Sequence, residues 1–353
     1  MVIESRNRPI LFPTTGKKFI FLILGLAIVA GLLAYRYFNF VFEANVIQTG
    51  RLYLPENADF GQVEDSLRAG NFLKKYNAFR WVSKKKEYRD RIKPGCYLLK
   101  EGMNTNQLVN MLRGGMQEPV KVTFNNVRFP EQFAAKIGSQ LAIDSTYFAQ
   151  IYFTPEIYEK YGFTKENFSA MFIPNTYEFY WTTSPARFFE RMNAEYKRFW
   201  NGERIEKANA IGLTPVEVSV LASIVQEETI KEEEKPRVAG VYINRLKRGY
   251  PLQADPTVKF AVGDFSITRV LNGHLEMDSP YNTYKYKGLP PGPINFPSIQ
   301  SIDAVLNYEK HKFLYFCAKN DFSGYHVFAR SLREHNKNAD RYRKALNQRK
   351  IYK

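Results

Sequence analysis

The chain has 353 residues, 44% of them hydrophobic and 24% charged, which describes a globular protein with room for two or three folding units and excludes a disordered one. Its 51 basic residues against 35 acidic ones leave a net charge of +16, so an anionic neighbour is expected: a membrane surface, a nucleic acid or a polyanionic wall polymer. No zinc-finger, helix-turn-helix or RNA-binding pattern accompanies that charge, which argues against nucleic acid; Cys96, Cys317, His274, His311, His326 and His335 show neither a disulfide framework nor metal-ligand spacing, so no metal and no cofactor is expected.

Residues 1–18 are polar and basic, with Arg6, Arg8, Lys17 and Lys18 against Glu4. An uncharged apolar run follows over 19–35. Arg36 can snorkel there, and Tyr37, Phe38 and Phe40 carry the run into an interface, so a transmembrane helix is expected over 19–38. A cleaved signal peptide is the rival, but it would have a shorter apolar region and a clear small-x-small site, which is weak here. The basic residues precede the span, so 1–18 is expected to be a cytoplasmic tail and the remainder to lie outside.

Residues 45–118 read as a small mixed unit. VIQTGRLYLP suggests a strand, Phe60, Val63 and Leu67 have helical spacing, KPGCYLL is a turn and strand, and Asn104 or Thr105 can cap a helix carrying Leu108, Val109 and Leu112. Residues 119–206 form an aromatic-rich stretch. PVKVTF alternates as a strand, a helix begins after Pro130, and Tyr177, Phe179, Tyr180 and Trp181 either fill a core or stack on ligand rings.

In the last part, 207–353, the stretch TPVEVSVLASIVQEET over 214–229 has its helix start written in: Thr214 and Glu217 make a capping box, and Pro215 takes the first helical position. Winding the apolar residues at the helical period places Glu228 about 10° from the apolar direction, Glu227 about 90° away and Gln226 nearly opposite. A carboxylate on that stripe loses hydration, which favours its neutral form and makes a general acid. Spacing leaves the alternative open that the helix simply ends there and Glu228 reaches solvent.

The segment KEEEK at 231–235 reads as a solvated turn or a helix start, and Pro236 opens a helix burying Val238, Val241, Tyr242 and Leu246. Arg245 falls near that buried side and needs a carboxylate or a ligand oxygen; orienting Glu228, binding ligand and a structural ion pair all remain open. Gln253, Asp255 and Thr257 either offer hydrogen bonds to a ligand or cap the next helix. Pro290, Pro291 and Pro293 stiffen a segment displaying Tyr281, Asn282, Thr283 and Tyr284. LYFCA reads as a buried strand, His326 and Phe328 alternate on a second, and Glu334, His335 and Asn336 open a basic terminal helix. His326 is either a base or a structural histidine.

Four ordered strings, LASIVQEET, VAGVYINRLKRGYPLQADPTVKFAVG, SPYNTYKYKGLPPGPINFPS and KFLYFCAKNDFSGYHVFARSLREHN, closely resemble the catalytic part of the YceG-like family, the membrane-anchored endolytic murein transglycosylases. The resemblance implies an α+β protein: a transmembrane helix, a LysM-like module over 45–118 matched by KPGCYLLKEGMNTNQLVNMLRGG, an intermediate subdomain over 119–206, and a mixed α/β catalytic domain over 207–353. It implies cleavage of MurNAc to GlcNAc linkages in nascent peptidoglycan, with anhydro ends and Glu228 as the catalytic residue. It also implies glycan contacts from Arg245, Gln253, Asp255, Thr257, Tyr281, Asn282, Thr283, Tyr284, His326 and Asn336, an inner-membrane location, and peptidoglycan synthases as partners. Gln226 and Asn175 depart from the family's usual Glu and Asp. A water-using muramidase, with Glu228 as acid and Asp255 as base or nucleophile, is the second reading; a non-catalytic wall-binding scaffold is the third.

Overall fold

The computed structural model describes residues 14–267 and 269–349, so the expected tail falls outside the described residues up to position 13, and the last positions of the basic C-terminal segment do so as well. Helix and strand are mixed, and the chain divides into two units on either side of the Pro119–Val120 bond.

In the first unit, the helix Thr14–Phe42 contains a stretch, Lys18–Phe42, long and apolar enough to cross a membrane. From Lys18 on, its side chains stand exposed until the last turn, where Val41 enters a core. That core lies under a two-stranded antiparallel sheet, β1 (Gly50–Leu54) and β2 (Gly95–Leu99), with Leu52 opposite Tyr97. The helices Phe60–Ala69, Tyr76–Lys85 and Thr105–Gly114 pack against it through Val63, Leu67, Phe79, Val82, Leu108 and Leu112. Asn104, not Thr105, caps the last of these in a box with Gln107, and Gly115 ends it in the left-handed conformation.

The second unit starts with β3 (Val120–Phe124), which pairs antiparallel with β4 (Asn175–Phe179). The aromatic stretch is mostly core. Tyr177 and Phe179 are buried beside Phe133, Phe148, Phe172, Phe188 and Phe189, whereas Tyr180 is exposed. Asn175 stands exposed on β4 opposite Phe124.

A second cluster centres on the helix Pro215–Glu228, flanked by Lys235–Lys247 and Ile299–Leu306 through Leu221, Ile224, Val225, Val238, Val241, Ile302 and Val305. Residues 218–225 are buried on all sides, so the single apolar stripe of the sequence reading is a fully enclosed helix instead. The proline-rich segment is pinned by close approach: a Cβ at Gly292 would fall 1.8 Å from the Glu166 carbonyl oxygen. A third two-stranded sheet, the hairpin β5 (Tyr315–Ala318) with β6 (His326–Ala329), and the helix Leu332–Gln348 complete the unit. β5 is only half-buried, not enclosed as LYFCA suggested, because all four of its residues line a pocket.

Candidate active site

The capping box at the start of the helix Pro215–Glu228 forms as its residues dictate: Glu217 N–H donates to the Thr214 hydroxyl at 3.2 Å, and Thr214 N–H donates to the Glu217 carboxylate at 2.8 Å. At the other end, Gln226, Glu227 and Glu228 emerge from the core on three faces with three different sets of partners. The Gln226 side-chain oxygen accepts from Ser298 N–H (2.7 Å) and the Ser301 hydroxyl (3.1 Å), holding the start of the helix Ile299–Leu306. Glu227 accepts from the Arg128 guanidinium at 2.7 Å and the Asn295 amide at 2.8 Å. Glu228 accepts from the Tyr242 hydroxyl at 2.5 Å and, among the described residues, has no cation in contact.

Burial pushes the Glu228 carboxyl up to about 7. The Tyr242 hydrogen bond opposes this, the charge of Asp255 adds to it, and the charges of Arg245 and Lys259 oppose it. Burial, reinforced by Glu228, holds the Tyr242 hydroxyl well above the ordinary tyrosine range, so the phenol stays the donor.

Glu228 opens into a pocket of about 440 Å³ whose walls include Tyr242, Arg245, Gln253, Asp255, Tyr284 and His326, with Tyr315, Phe316, Cys317 and His335 from the C-terminal segment. Arg245 is buried with no carboxylate partner among the described residues. Its guanidinium donates to the carbonyls of Leu314 (2.6 Å) and Leu252 (2.6 Å), lies at 3.4 Å from the Gln253 side chain, and sits over the Tyr315 ring. It is therefore neither the structural ion pair nor a hydrogen-bonded partner of Glu228, and the charge it brings to the pocket is held by backbone dipoles. Gln253 takes a left-handed backbone, φ +50°, which costs a non-glycine residue of order 1 kcal/mol or more. Asp255 accepts from the Tyr284 hydroxyl at 2.5 Å.

His326 is fixed by a residue that the charge run concealed. Glu234 is 5% exposed, and its carboxylate accepts from His326 N–H at 2.8 Å, pairs with His326 Nδ1 at 2.7 Å and accepts from the Thr229 hydroxyl at 3.3 Å. Of the two readings of 231–235 the helix start is what forms, a 3-10 turn Glu232–Glu234 running into the helix Lys235–Lys247, and it is anchored, not solvated, at Glu234 and Lys235, which is buried as well. It links the residue after Glu228 to the histidine across the pocket and leaves His326 Nε2 as the ring's uncommitted nitrogen.

Other residues singled out in the sequence lie elsewhere. Thr257 and Thr283 are enclosed and share a hydrogen bond at 2.8 Å, and Thr283 also accepts from Ala254 N–H at 3.0 Å. Asn282 is enclosed, donating to the carbonyls of Leu275 and Met277. These three hold the loops behind Asp255 and Tyr284 instead of facing the pocket. Tyr281 packs on Phe260, its ring centroid 4.6 Å away. Asn336 is exposed; one residue earlier, about 100° around the helix, His335 reaches the pocket and stacks on Tyr315. Tyr242, His335, Tyr315, Phe316 and Glu234 were missed as site residues. Only Tyr242 carried a signal, as a hydroxyl on an otherwise apolar helix face, which must find an acceptor when buried.

The YceG-like family model matches residues 52–341. An endolytic murein transglycosylase of Bacillus subtilis is 29% identical over 324 residues, covering 85% of this chain and 86% of the relative. One from Streptococcus pneumoniae is 28% identical over 329 residues, covering 84% of this chain but only 59% of the longer relative. The crystal structure of a yceG-like protein from Listeria monocytogenes superposes with a TM-score of 0.55 at 26% identity, over 82% of this chain and 98% of that one.

Proposed function

The chain belongs to the YceG-like family, and from that premise we propose that it is an endolytic murein transglycosylase in which Glu228 is the catalytic acid. The observation that carries the assignment of Glu228 is its setting: a carboxyl pushed up to about 7 by burial, held by one neutral donor, at the wall of a pocket. Such a group is partly protonated at neutral pH and can give a proton and then take one back.

Glu228 protonates the GlcNAc O4 as the bond from that oxygen to the MurNAc anomeric carbon breaks. The resulting carboxylate removes the proton from the C6 hydroxyl of the same MurNAc, whose oxygen bonds to the anomeric carbon. The products are a 1,6-anhydro end and a new GlcNAc terminus, no water is consumed, and Glu228 returns to its starting state. The Arg245 charge, Asp255 with Tyr284, and His326 line the pocket at positions from which sugar hydroxyls and the N-acetyl group can be held.

The N-terminal apolar helix serves as a single-pass anchor in the inner membrane, with the chain before it in the cytoplasm and the chain after it outside. The unit before Val120 acts as a LysM-like glycan-binding module, and cutting at a fixed distance from the membrane terminates strand elongation beside the synthases. Mass spectrometry of products from uncrosslinked glycan strands tests this. Anhydro-ended fragments from the parent and none from Glu228→Gln are expected; reducing-end fragments would instead mean a hydrolase using Asp255.

A further inference from the structure

The end of the apolar helix is not followed by a linker. Phe19 to Phe38 are exposed over about 30 Å of helix, the thickness of a bilayer core. Within one further turn Val41 is buried in the core of the first unit. The seam is closed by Asn45, whose amide donates to the Thr105 hydroxyl (3.0 Å) and the Lys75 carbonyl (3.1 Å), and by the pairing of Glu43 with Lys74 and Lys75. If the helix spans a bilayer, part of this unit is therefore held at headgroup depth.

One side of it is suited to that place. The Trp81 ring, on the helix Tyr76–Lys85, packs edge-on against Tyr37 (5.6 Å) and Phe40 (6.1 Å) of the apolar helix, yet Trp81 is still 37% exposed. Tyr37, Phe38 and Phe42 beside it are exposed too. In the last turn of the same helix Lys84 and Lys85 are exposed, with no carboxylate partner among the described residues; Lys85 lies over the Trp81 ring at 5.8 Å. In contrast, Lys74, Lys75 and Arg80 nearby are neutralised by Glu43 and Glu64. An amphipathic ring at the end of an apolar span with uncompensated lysines next to it is the chemistry of a bilayer interface carrying anionic headgroups.

We infer that the helix Tyr76–Lys85 is a second membrane contact, with Trp81 seated at the bilayer boundary beside Tyr37 and Phe40 and Lys84 and Lys85 bound to anionic phospholipid headgroups. This rests on the anchor reading given above and is independent of the catalytic one. It makes the first unit a fixed pedestal, since the span and the second helix together restrict tilt.

The full chain is reconstituted in nanodiscs of phosphatidylcholine with a fixed fraction of phosphatidylglycerol, one or the other brominated either near the carboxyl end of the acyl chain or at its middle, and tryptophan quenching is read. The expected result is a component quenched more by the shallow bromine and absent from Trp81→Phe. It should be stronger from brominated phosphatidylglycerol than from phosphatidylcholine, with that preference several-fold weaker in the Lys84→Gln, Lys85→Gln double variant and at high salt. A chain that enters the discs but shows the same quenching with and without Trp81 overturns the inference and leaves the anchor standing. Equal quenching by the two lipids overturns the headgroup preference. Failure to enter the discs overturns the anchor itself, and this inference with it.

Discussion

Glu227 and Glu228 are neighbours in sequence at the end of one buried helix, but among the described residues Glu227 is paired with a cation and Glu228 is not. Arg128 and the Asn295 amide compensate the first carboxylate, while the second has a tyrosine hydroxyl and opens into a pocket. The difference teaches that, on the proposed reading of Glu228 as the acid, its chemistry depends on withholding compensation. The same helix end that buries Glu228 supplies its partners sparingly, and Arg245, the nearest buried guanidinium, is tied to backbone carbonyls instead.

The sharpest way to break this comparison is to remove each acid in turn. Glu228→Gln is expected to lower anhydro-product formation by about a thousandfold or more, the scale of a general acid that also serves as base. Glu227→Gln should stay within about threefold of the parent. Equal losses in a quantitative product assay would mean that Glu227 takes part in the reaction.

Stability should separate the two acids with opposite signs. Unfolded, Glu228 releases its proton near 4.5; folded, near 7. Between those values the folded chain holds more protons, so its stability falls as pH rises and the full cost is present above pH 7. A shift of that size corresponds to about 3 kcal/mol. Glu228→Gln should therefore melt higher than the parent at pH 8 and converge with it near pH 5. Glu227→Gln, which leaves Arg128 unpaired, should melt lower at pH 8 by about 1 kcal/mol. Calorimetry at the two pH values reads both, and a Glu228→Gln protein less stable at pH 8 would show that the carboxylate is well compensated after all.

The Glu234–His326 pair extends the comparison across the pocket. Glu234→Ala and His326→Ala are each expected to reduce turnover about ten- to a hundredfold, and the double variant should be no worse than the poorer single one, because the carboxylate acts through the ring. Multiplying losses would separate the two residues.

How much of this was legible follows from what each signal depends on. The helix Pro215–Glu228 was readable because Thr214, Pro215 and Glu217 act locally. The two strands in the first unit and the cap at Asn104 were readable for the same local reason. What the sequence concealed was set by contacts between distant segments. Glu234 looks solvated inside KEEEK because its partner His326 is 92 residues away. His335 was passed over for Asn336 because the rotation of the terminal helix is decided by β5 and not by its own residues. Thr257 and Thr283 look like ligand-binding hydroxyls in a linear reading, and only the fold places them against each other.

The smallest expected effect tests whether Tyr242 tunes the acid or merely packs beside it. Its hydroxyl donates to the Glu228 carboxylate and so favours the charged form, which holds the acid below where burial alone would put it. Tyr242→Phe removes that donor while keeping the ring. The carboxyl should then retain its proton to higher pH, and the alkaline limb of the rate profile, set by loss of the acid form, should move to higher pH. At pH 6, where the acid is already protonated, turnover should drop by only about fivefold, the worth of one neutral hydrogen bond in placing the carboxyl. A uniform fall in rate with an unmoved limb would assign Tyr242 to packing alone, and a limb moved to lower pH would mean that another group supplies the proton.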